Sequence, residues 1–429
     1  MMIIRNGCVC DPASGMEEIS DVLVKNGVIY RIGTATEEEI QAAEQIIDAT
    51  GCVVAPGLVD VHVHFRDPGF TYKEDIMTGA QAALKGGFTS VVLMANTKPT
   101  VDNVDTLSYV LKKGKETGLH IHSCAAVTHG LGGKEMTDMD ALYQAGAAGF
   151  TDDGIPLMDT TLLVECFKKA AELQVPVSLH EEDPSLISNN GVNHGTVSDK
   201  LGIGGSDREA EISLVRRDLK LALETGVALN IQHISAKESV ELVREAKKQP
   251  GNHIHAEATP HHFTLTDQAV LEHGTLAKMN PPLREEADRQ AIIAGLKDGT
   301  IDIIATDHAP HSVEEKAKPL TEAPSGIIGL ETALSLGITS LVKPGYLTMM
   351  ELIDRMSYAP AQLYHLQAGR IAVDKTADLV IFDPNATWTV DNFVSKASNS
   401  PFKGVELSGV VRYTIVDGNI IRVIRHSKK

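Results

Sequence analysis

Histidine and aspartate side chains recur along the chain at places where they could bind metal ions. His62 and His64 are separated by one residue, so in a strand both side chains point to the same side. The other candidates are Asp152 and Asp153, His180, His233, and Asp307 followed by His308. Imidazoles with carboxylates suit zinc, although manganese or cobalt could occupy a similar site. These ligands are too many for one tetrahedral ion, and they suit two ions sharing a bridge and a hydroxide nucleophile.

Each candidate also has a simpler explanation. A histidine pair spaced like His62 and His64 is more often a structural pair than a metal site when it occurs alone. Asp307 could act as a general base that later serves as an acid, or it could only cap a helix after the strand before it. The recurrence of histidine and aspartate at four further strand ends favours the metal site.

The elements that must position these residues alternate between apolar strands and helices. Eight strand-like runs cover 58–65, 88–94, 119–127, 147–151, 175–180, 227–233, 253–259 and 301–306, and the helical stretches between them commonly end at glycine. Eight strand-then-helix units over about 250 residues predict an α/β fold of the (β/α)8 TIM-barrel type. A doubly wound sheet is the structural alternative. In a barrel, the histidines and aspartates fall at the carboxyl ends of the strands, where such folds place their sites.

The two ends of the chain have a different pattern of short strands and tight turns. Asn26-Gly27 and Asp417-Gly418 are hairpin signals. Each end is too small to bury a core alone, so we expect the two ends to pack together as one small β-sandwich domain. The predicted division is residues 1–54, a barrel over 55–365, and residues 366–429.

Composition excludes several classes of protein. Of 429 residues, 43% are hydrophobic, which rules out disorder, and the formal net charge is −18. Such a charge repels phosphate backbones and anionic membranes, so neither nucleic acid nor membrane is an expected partner. The five cysteines form no CxxC pair, and no signal peptide or membrane-spanning run is visible, so we expect a cytoplasmic protein.

Several longer motifs carry a resemblance to a known family. They are APGLVDVHVHFRDPG (55–69), MANTKP (94–99), FTDDG (150–154), KMNPPLR (278–284) and ATDHAPH (305–311). In this order they resemble the amidohydrolase superfamily and, within it, the dihydroorotases of the bacterial monofunctional (class I) type. The resemblance covers nearly the whole chain.

The resemblance implies a reaction and a metal centre. The reaction is the reversible cyclisation of N-carbamoyl-L-aspartate to L-dihydroorotate in de novo pyrimidine synthesis. By motif position, two zinc ions per chain would be held, one by His62, His64 and Asp307 and the other by His180 and His233, with Asp153 bridging. FTDDG offers no lysine for a carboxylated bridge, so an aspartate must serve, and Asp152 is the alternative to Asp153.

The resemblance also implies substrate contacts. Arg66, Asn96 and His311 would bind the α-carboxylate, and Asn280 with the backbone near Gly326 would contact the ring amide. His64 would also face the substrate. The loop 312–331 departs from the relatives' pattern because Ser325 stands where they tend to have an aromatic residue. Its length predicts a lid over the substrate. For Arg66 a surface ion pair with Asp67 is the alternative, and for Asn280 a turn before Pro281.

Two other functions stay open at this stage. A different cyclic amidase, such as a hydantoinase, dihydropyrimidinase or allantoinase, would share the barrel and metals, although RDPG and NPPLR argue against it. A non-catalytic partner of aspartate transcarbamoylase would have lost metal ligands, and this chain keeps them all. A homodimer and an association of the active enzyme with that transcarbamoylase are further expectations from the family.

Overall fold

The structure, a computed structural model, describes residues 1–423. Its strands are β1 (Met2–Asp11), β2 (Met16–Lys25), β3 (Val28–Ile32), β4 (Gln45–Asp48), β5 (Val53–Pro56), β6 (Leu58–Val63), β7 (Phe88–Leu93), β8 (His120–Ala125), β9 (Gly149–Phe150), β10 (Val177–Leu179), β11 (Leu229–Ile231), β12 (Ile254–Ala258), β13 (Ile303–Ile304), β14 (Leu379–Thr389), β15 (Glu406–Val416) and β16 (Asn419–Val423). They form a barrel sheet and a sheet built from the two ends of the chain.

The helices lie between the barrel strands and after them. They are α1 (Glu37–Ala42), α2 (Ile76–Gly86), α3 (Val104–Gly114), α4 (Met139–Gln144), α5 (Thr160–Leu173), α6 (Thr196–Leu201), α7 (Arg208–Thr225), α8 (Lys237–Lys247), α9 (Pro260–Thr264), α10 (Ala269–His273), α11 (Glu286–Asp298), α12 (Val313–Lys316), α13 (Ala333–Gly337), α14 (Met349–Ile353) and α15 (Ala359–Leu363). Within residues 1–423, no helix combines the length and the apolar character needed to cross a membrane.

Local sequence explains where these helices begin and end. In α2, the Asp75 side chain accepts a hydrogen bond from the Thr78 amide, and the helix ends at Gly87 with φ of +90°. Glycine adopts this left-handed conformation without a steric penalty, so the chain turns there directly into β7. The predicted glycine stops after the helices before β11 and β13 are also present, at Gly226 and Gly299.

The predicted barrel is confirmed. Strands β6 to β13 pair in parallel in sequence order, and Val63 pairs with His308 to join the first strand to the segment after the last. Each strand lies within one of the eight predicted runs, but the regular pairing ends earlier than predicted. The run predicted over 301–306, for example, is a strand only over Ile303–Ile304. The residues beyond these short strands leave the sheet and carry the site.

The strands from the two chain ends form one continuous sheet, as the turn signals indicate. Its order is β16-β15-β14-β5-β1-β2-β3, with β4 added beside β1. Both predicted hairpins are present, β2 to β3 and β15 to β16. The edge strand β3 also meets the start of the C-terminal part, because the Ile29 amide donates to the Lys375 carbonyl at 2.8 Å. Both ends contribute to one apolar core cluster, which includes Val22 of β2, Ile381 of β14 and Ile415 of β15.

The division of the chain at residues 54 and 365 stays a prediction. Strand β5 (Val53–Pro56) pairs with Leu379–Phe382 of β14, so the terminal sheet runs up to Pro56 and β6 begins two residues later. Residues 424–429, which belong to the predicted C-terminal part, lie outside the described residues.

Candidate active site

The predicted metal ligands converge at the carboxyl ends of the barrel strands. His62 lies in β6, and the others follow their strands within one to three residues: His64 after β6, Asp153 after β9, His180 after β10, His233 after β11 and Asp307 after β13. All six side chains are buried. Positions so far apart in the sequence come together because a parallel barrel ends all its strands on one face.

Asp153 is shared by two groups of potential ligands. One group joins it to His62 and His64, and the other joins it to His180 and His233, with the ligand atoms of each group within 4.8 Å of one another. Asp153 Oδ1 lies 3.4 Å from His62 Nε2, and Oδ2 lies 3.5 Å from His64 Nε2. Asp307 Oδ1 completes the first group at 2.9 Å from His64 Nε2. A carboxylate in this position can bridge two cations.

Asp152, the alternative bridge, faces away into a different network. Its Oδ1 accepts hydrogen bonds from the amides of Val127 and Thr128 at 2.8 and 3.1 Å, and its Oδ2 accepts one from the Thr128 hydroxyl. Burial raises the pKa of Asp152 to about 6. Asp152 therefore serves to hold the loop after β9, which places its neighbour Asp153 at the site.

Three residues of the site have backbone angles that non-glycine residues rarely adopt. The φ values are +60° for Arg66, +30° for His233 and +47° for Asp307. Such conformations cost on the order of 1–3 kcal/mol each and persist where the surroundings enforce them. They turn the chain sharply at the strand ends and aim these side chains into the barrel mouth.

A buried glutamate that sequence reasoning missed orients the first group. Glu257 Oε1 accepts a hydrogen bond from His62 Nδ1 at 2.5 Å and one from the His233 amide at 3.3 Å. Its Oε2 accepts one from Asn230 Nδ2 at 3.0 Å. This pairing fixes the His62 tautomer so that Nε2 faces Asp153 and Asp307. A single carboxylate inside the apolar strand HIHAEAT was the available signal.

His180 and His233 face each other in the second group. His180 Nδ1 lies 3.0 Å from His233 Nε2, and His180 Nε2 donates to Glu182, another carboxylate that sequence reasoning missed. Burial lowers the pKa of His233 well below its ordinary value, and the nearby charge of His180 adds to this effect. His233 is therefore neutral at physiological pH, as a metal-binding imidazole must be.

The donor set fits metal ions. Burial alone would lower the pKa of His62, but the carboxylates of Glu257, Asp153 and Asp307 outweigh it and raise that pKa well above its ordinary value. The carboxylates of this buried cluster therefore favour a positive charge beside them. His62 Nε2 is buried and has no hydrogen-bond partner among residues 1–423, although two carboxylates lie 3.4 and 3.5 Å away. A divalent cation would supply both the charge and the missing partner.

A cavity of about 250 Å³ opens directly on the ligand cluster. Its walls include, besides the ligands, most of the predicted substrate residues, namely Arg66, Asn96, Asn280, Ser325 and Gly326, and three residues not predicted, Gly154, Asn190 and Ala309. Asn96 holds the cluster as well, because its Oδ1 accepts from His64 Nδ1 and its Nδ2 donates to Asp153 Oδ2, each at 2.9 Å. The cavity has the size of a small-molecule site.

Two of the predicted substrate residues, Arg66 and Asn280, have polar groups that the protein does not fully use. Arg66 does not pair with Asp67, which bonds instead to Tyr109 and Lys113. Arg66 Nε donates to the Pro310 carbonyl at 3.3 Å. Asn280 Oδ1 is buried without a hydrogen-bond partner in the part of the chain that the structure describes. Both side chains therefore keep polar groups available to a ligand.

His311 and the Gly326 backbone, both predicted to contact the substrate, bond to other parts of the protein in this structure. His311 Nε2 donates to the Ser325 carbonyl at 2.8 Å, so His311 stabilises the loop that contains Ser325. The Gly326 amide donates to the Lys278 carbonyl at 2.8 Å, and its own carbonyl accepts from Lys316 Nζ at 3.0 Å. The polar atoms of Gly326 are thus engaged within the protein, and its contribution to the cavity is the shape of its turn.

Two buried lysines hold the loop that was predicted to be a lid. Lys316 Nζ donates to the carbonyls of Pro324 and Gly326, and Lys278 Nζ donates to those of Leu320 and Ala323, at 2.7–3.0 Å. At the cavity mouth, the Ser325 hydroxyl donates to Asn190 Oδ1 at 2.8 Å. The structure shows the loop fastened in place, and its closing motion stays a prediction.

Comparison with known proteins identifies the family. A model of the "Amidohydrolase family" matches residues 53–421. The chain is 58% identical over 421 residues to a protein named dihydroorotase from Clostridioides difficile (strain 630), covering 98% of this chain and 99% of that one. It is 51% identical over 423 residues to the dihydroorotase of Clostridium acetobutylicum, with 98% and 99% coverage.

Solved structures agree on the architecture. The L-hydantoinase (dihydropyrimidinase) from Arthrobacter aurescens matches with a TM-score of 0.87 and 26% identity, covering 99% of this chain and 97% of that one. The dihydropyrimidinase from Brevibacillus agri NCHU1002 matches with a TM-score of 0.81 and 23% identity over 98% and 94% of the chains, a likeness of fold alone. With a family model over most of its length and relatives matched from end to end, this chain belongs to the amidohydrolase family and groups there with bacterial dihydroorotases.

Proposed function

We propose that the chain is a dihydroorotase, a cyclic amide hydrolase that interconverts N-carbamoyl-L-aspartate and L-dihydroorotate in pyrimidine synthesis. The observation that carries the proposal is the cavity in which Arg66 lies beside a ligand cluster shared through Asp153. The guanidinium of Arg66 can bind a carboxylate, and the neighbouring metal-binding cluster can activate an amide, so the cavity suits a substrate that has both a carboxylate and a hydrolysable amide. The 58% identity to a protein named dihydroorotase supports the choice of this substrate over other cyclic amides.

Two zinc ions per chain are the cofactors that we propose. His62, His64 and Asp307 would hold one ion, His180 and His233 the other, and Asp153 both. When bound, such ions supply Lewis acidity toward the amide carbonyl and lower the pKa of water toward neutrality. Glu257 and Glu182 would keep the imidazoles of His62 and His180 in the tautomers that bind.

Asp307 is the proposed general base and acid. Its carboxylate lies at the edge of the cavity, and its Oδ1 is 3.5 Å from His62 Nε2 and 2.9 Å from His64 Nε2. In the direction of ring opening, Asp307 takes a proton from the attacking water and passes it to the leaving ring nitrogen. In the direction of ring closure, Asp307 takes the proton from the carbamoyl nitrogen as that nitrogen attacks the side-chain carboxyl carbon, and it passes the proton to the departing oxygen, which leaves as water.

Recognition of the substrate falls to the other cavity residues. We propose that Arg66 binds the α-carboxylate with a paired, charge-assisted fork, assisted by Asn96, while His311 supports the adjoining Ser325 turn. Asn280 Oδ1, which lacks a partner within residues 1–423, accepts a hydrogen bond from the ring amide. Ser325 and the Gly326 turn shape the wall against the ring. A local positive charge such as that of Arg66 is needed to bind the anionic substrate, because the net charge of the chain is −18.

The proposal also covers the location, oligomeric state and protein partner of the enzyme. We infer a cytoplasmic enzyme that acts on a small molecule, forms a homodimer and associates with aspartate transcarbamoylase. Size-exclusion chromatography with light scattering tests the dimer, and co-purification with the transcarbamoylase of the same organism tests the association. A monomer, or elution without the transcarbamoylase, would contradict the respective point.

The experiment that tests the proposed activity is a comparison of substrates. Purified protein of known metal content is incubated with L-dihydroorotate, hydantoin, dihydrouracil and allantoin, and ring opening is followed by the loss of ultraviolet absorbance or by chromatography. We expect rapid turnover of L-dihydroorotate only. Preferential turnover of another ring would assign the chain to a different cyclic amidase. Absence of turnover in folded, metal-loaded protein would favour a non-catalytic partner of the transcarbamoylase.

A further inference from the structure

A segment from the C-terminal part of the chain crosses to the barrel next to the cavity. We call residues 394–400 the strap. The amides of Val394 and Ser395 donate to Glu331 Oε1 at 2.8 and 2.9 Å. The Lys396 amide donates to Glu74 Oε1 at 3.2 Å, and the Ser395 hydroxyl donates to the same carboxylate. These bonds fasten the first half of the strap to buried carboxylates of the barrel.

Asn399, near the end of the strap, is bonded to two turns of the site at once. Its Nδ2 donates to the carbonyls of Ala309 and Gly326, both at 3.1 Å. Its Oδ1 accepts from the His311 amide at 3.1 Å, and its backbone carbonyl accepts from the Ile328 amide at 3.0 Å. The side chain is buried, with 4% exposure, and uses both hydrogens and the oxygen of its amide.

The two turns are the walls of the cavity. Ala309 follows Asp307 by two residues and lines the cavity, and Gly326 lines it beside Ala309 from a second turn. The turns touch closely: a Cβ atom added at Gly326 would lie 2.6 Å from the Ala309 Cβ. Because both turns line the cavity, a displacement of either one changes the shape of its wall.

We propose that Asn399 is a positioning residue of the substrate site, which holds the Ala309–His311 turn and the Gly326 turn at a fixed separation. The inference rests on the proposed function, because it assigns these turns to substrate binding. Asn399 contacts the backbone of the walls and lies outside the cavity lining in the described chain. Its effect is therefore exerted on binding geometry rather than on the reacting atoms.

Asparagine suits this position for a chemical reason. The site needs two donors toward carbonyls and one acceptor toward an amide within one short side chain, and the carboxamide supplies all three. An aspartate keeps the acceptor for His311 but places an oxygen opposite the Ala309 and Gly326 carbonyls. An alanine removes these partners from the Ala309 carbonyl and the His311 amide and leaves the Gly326 carbonyl with Lys316 Nζ, a loss that structures tolerate poorly.

The test compares Asn399→Ala and Asn399→Asp with the wild-type protein. We expect KM for L-dihydroorotate to rise about tenfold or more in both variants while kcat changes less, since a wall displaced by a fraction of an ångström weakens binding first. Hydrogen exchange of the His311 amide should accelerate in Asn399→Ala and stay slow in Asn399→Asp, which retains the acceptor. Ser400→Ala is the matched control, because within residues 1–423 the Ser400 side chain bonds only to the nearby Phe402 amide, from which its hydroxyl accepts.

The possible outcomes separate this inference from the proposed activity. KM values within about twofold of wild type in both folded variants would overturn the inference, as would an equal rise in Ser400→Ala. A lower melting temperature with unchanged KM would also overturn it, by showing a purely structural role. If Asn399→Ala does not fold, the KM of Asn399→Asp alone decides whether Asn399 positions the two turns. If the wild type does not turn over dihydroorotate, the proposed function fails, and exchange of the His311 amide alone decides whether Asn399 fixes this turn.

Discussion

Replacing Glu257 with glutamine tests whether a buried carboxylate controls the proposed metal centre. In the structure, Glu257 Oε1 accepts from His62 Nδ1 at 2.5 Å and from the His233 amide at 3.3 Å, and Oε2 accepts from Asn230 Nδ2. A glutamine keeps the volume and one accepting oxygen, so the bond to His62 can persist without its negative charge. Its NH2 group then faces Asn230, whose Oδ1 has no partner in the described chain and can turn to accept from it. A melting temperature measured on the variant checks that the fold is intact.

The expected loss of zinc affinity can be estimated from the hydrogen bond between His62 and residue 257, which loses its negative charge. A hydrogen bond to a charged group contributes about 1.5–3 kcal/mol, and a neutral one about 0.5–1.5 kcal/mol, so the loss is roughly 1–1.5 kcal/mol. Since 1.4 kcal/mol corresponds to about a factor of ten in affinity, Glu257→Gln should weaken one metal ion by about tenfold. This value lies at the lower end of the 10–100-fold range known for groups that support metal ligands.

The assay is competition for zinc with a chromophoric chelator, read together with metal content by mass spectrometry. Asp302→Asn is the matched control, because Asp302 makes a similar pair with His255 Nδ1 at 2.7 Å but lies at the amino-terminal end of the barrel strands. We expect Asp302→Asn to leave zinc affinity unchanged. Equal zinc affinity in Glu257→Gln and wild type would refute the reasoning, as would the same loss in both variants.

Three further predictions address the cavity and its loop. Asp307→Asn, assayed at saturating zinc so that its metal sites are filled, should retain its fold but lose at least about 10²-fold in kcat, because the amide cannot exchange the proton; near-normal turnover would remove Asp307 from this role. Arg66→Met should lower kcat/KM for dihydroorotate by about 10–100-fold and Arg66→Lys by less, since lysine keeps the charge without the fork; equal values in Arg66→Met and wild type would disprove the carboxylate contact. Burial, with the charge of Lys278, lowers the pKa of Lys316 to about 7, whereas in the unfolded chain it is about 10.4. The unfolded state therefore binds more protons between these pH values, and the free energy of unfolding should rise with pH more steeply in wild type than in Lys316→Met; parallel curves from urea titrations would contradict this.

Much of the fold and of the ligand set follows from local sequence patterns. Several barrel strands are predictable because they are short apolar runs followed by a polar residue, as in VSLH ending at His180. The hairpin at Asn26-Gly27 is predictable because its two residues favour the turn that the strands need. The ends of the strands are not predictable in this way, since pairing stops where the chain bends toward the site, as it does after Ile304.

The parts that sequence reasoning missed depend on contacts between distant residues. Glu257 reaches His62 across 195 positions, and Asn399 reaches the His311 amide across 88 and the Gly326 carbonyl across 73. No local periodicity encodes such pairs. For the bridge, motif position already favours Asp153 over Asp152, and the bonds of Asp152 to the Thr128 hydroxyl and to the amides of Val127 and Thr128 support that preference, which stays a prediction.

The most direct test of the central claim is a zinc titration of metal-free protein in which turnover of L-dihydroorotate is measured at each addition. The ligand cluster shared through Asp153 predicts that activity rises with bound zinc and reaches its plateau at two ions per chain. Full activity in protein shown to contain no metal, or a plateau at one ion that a second does not change, would contradict the account of two ions joined by Asp153.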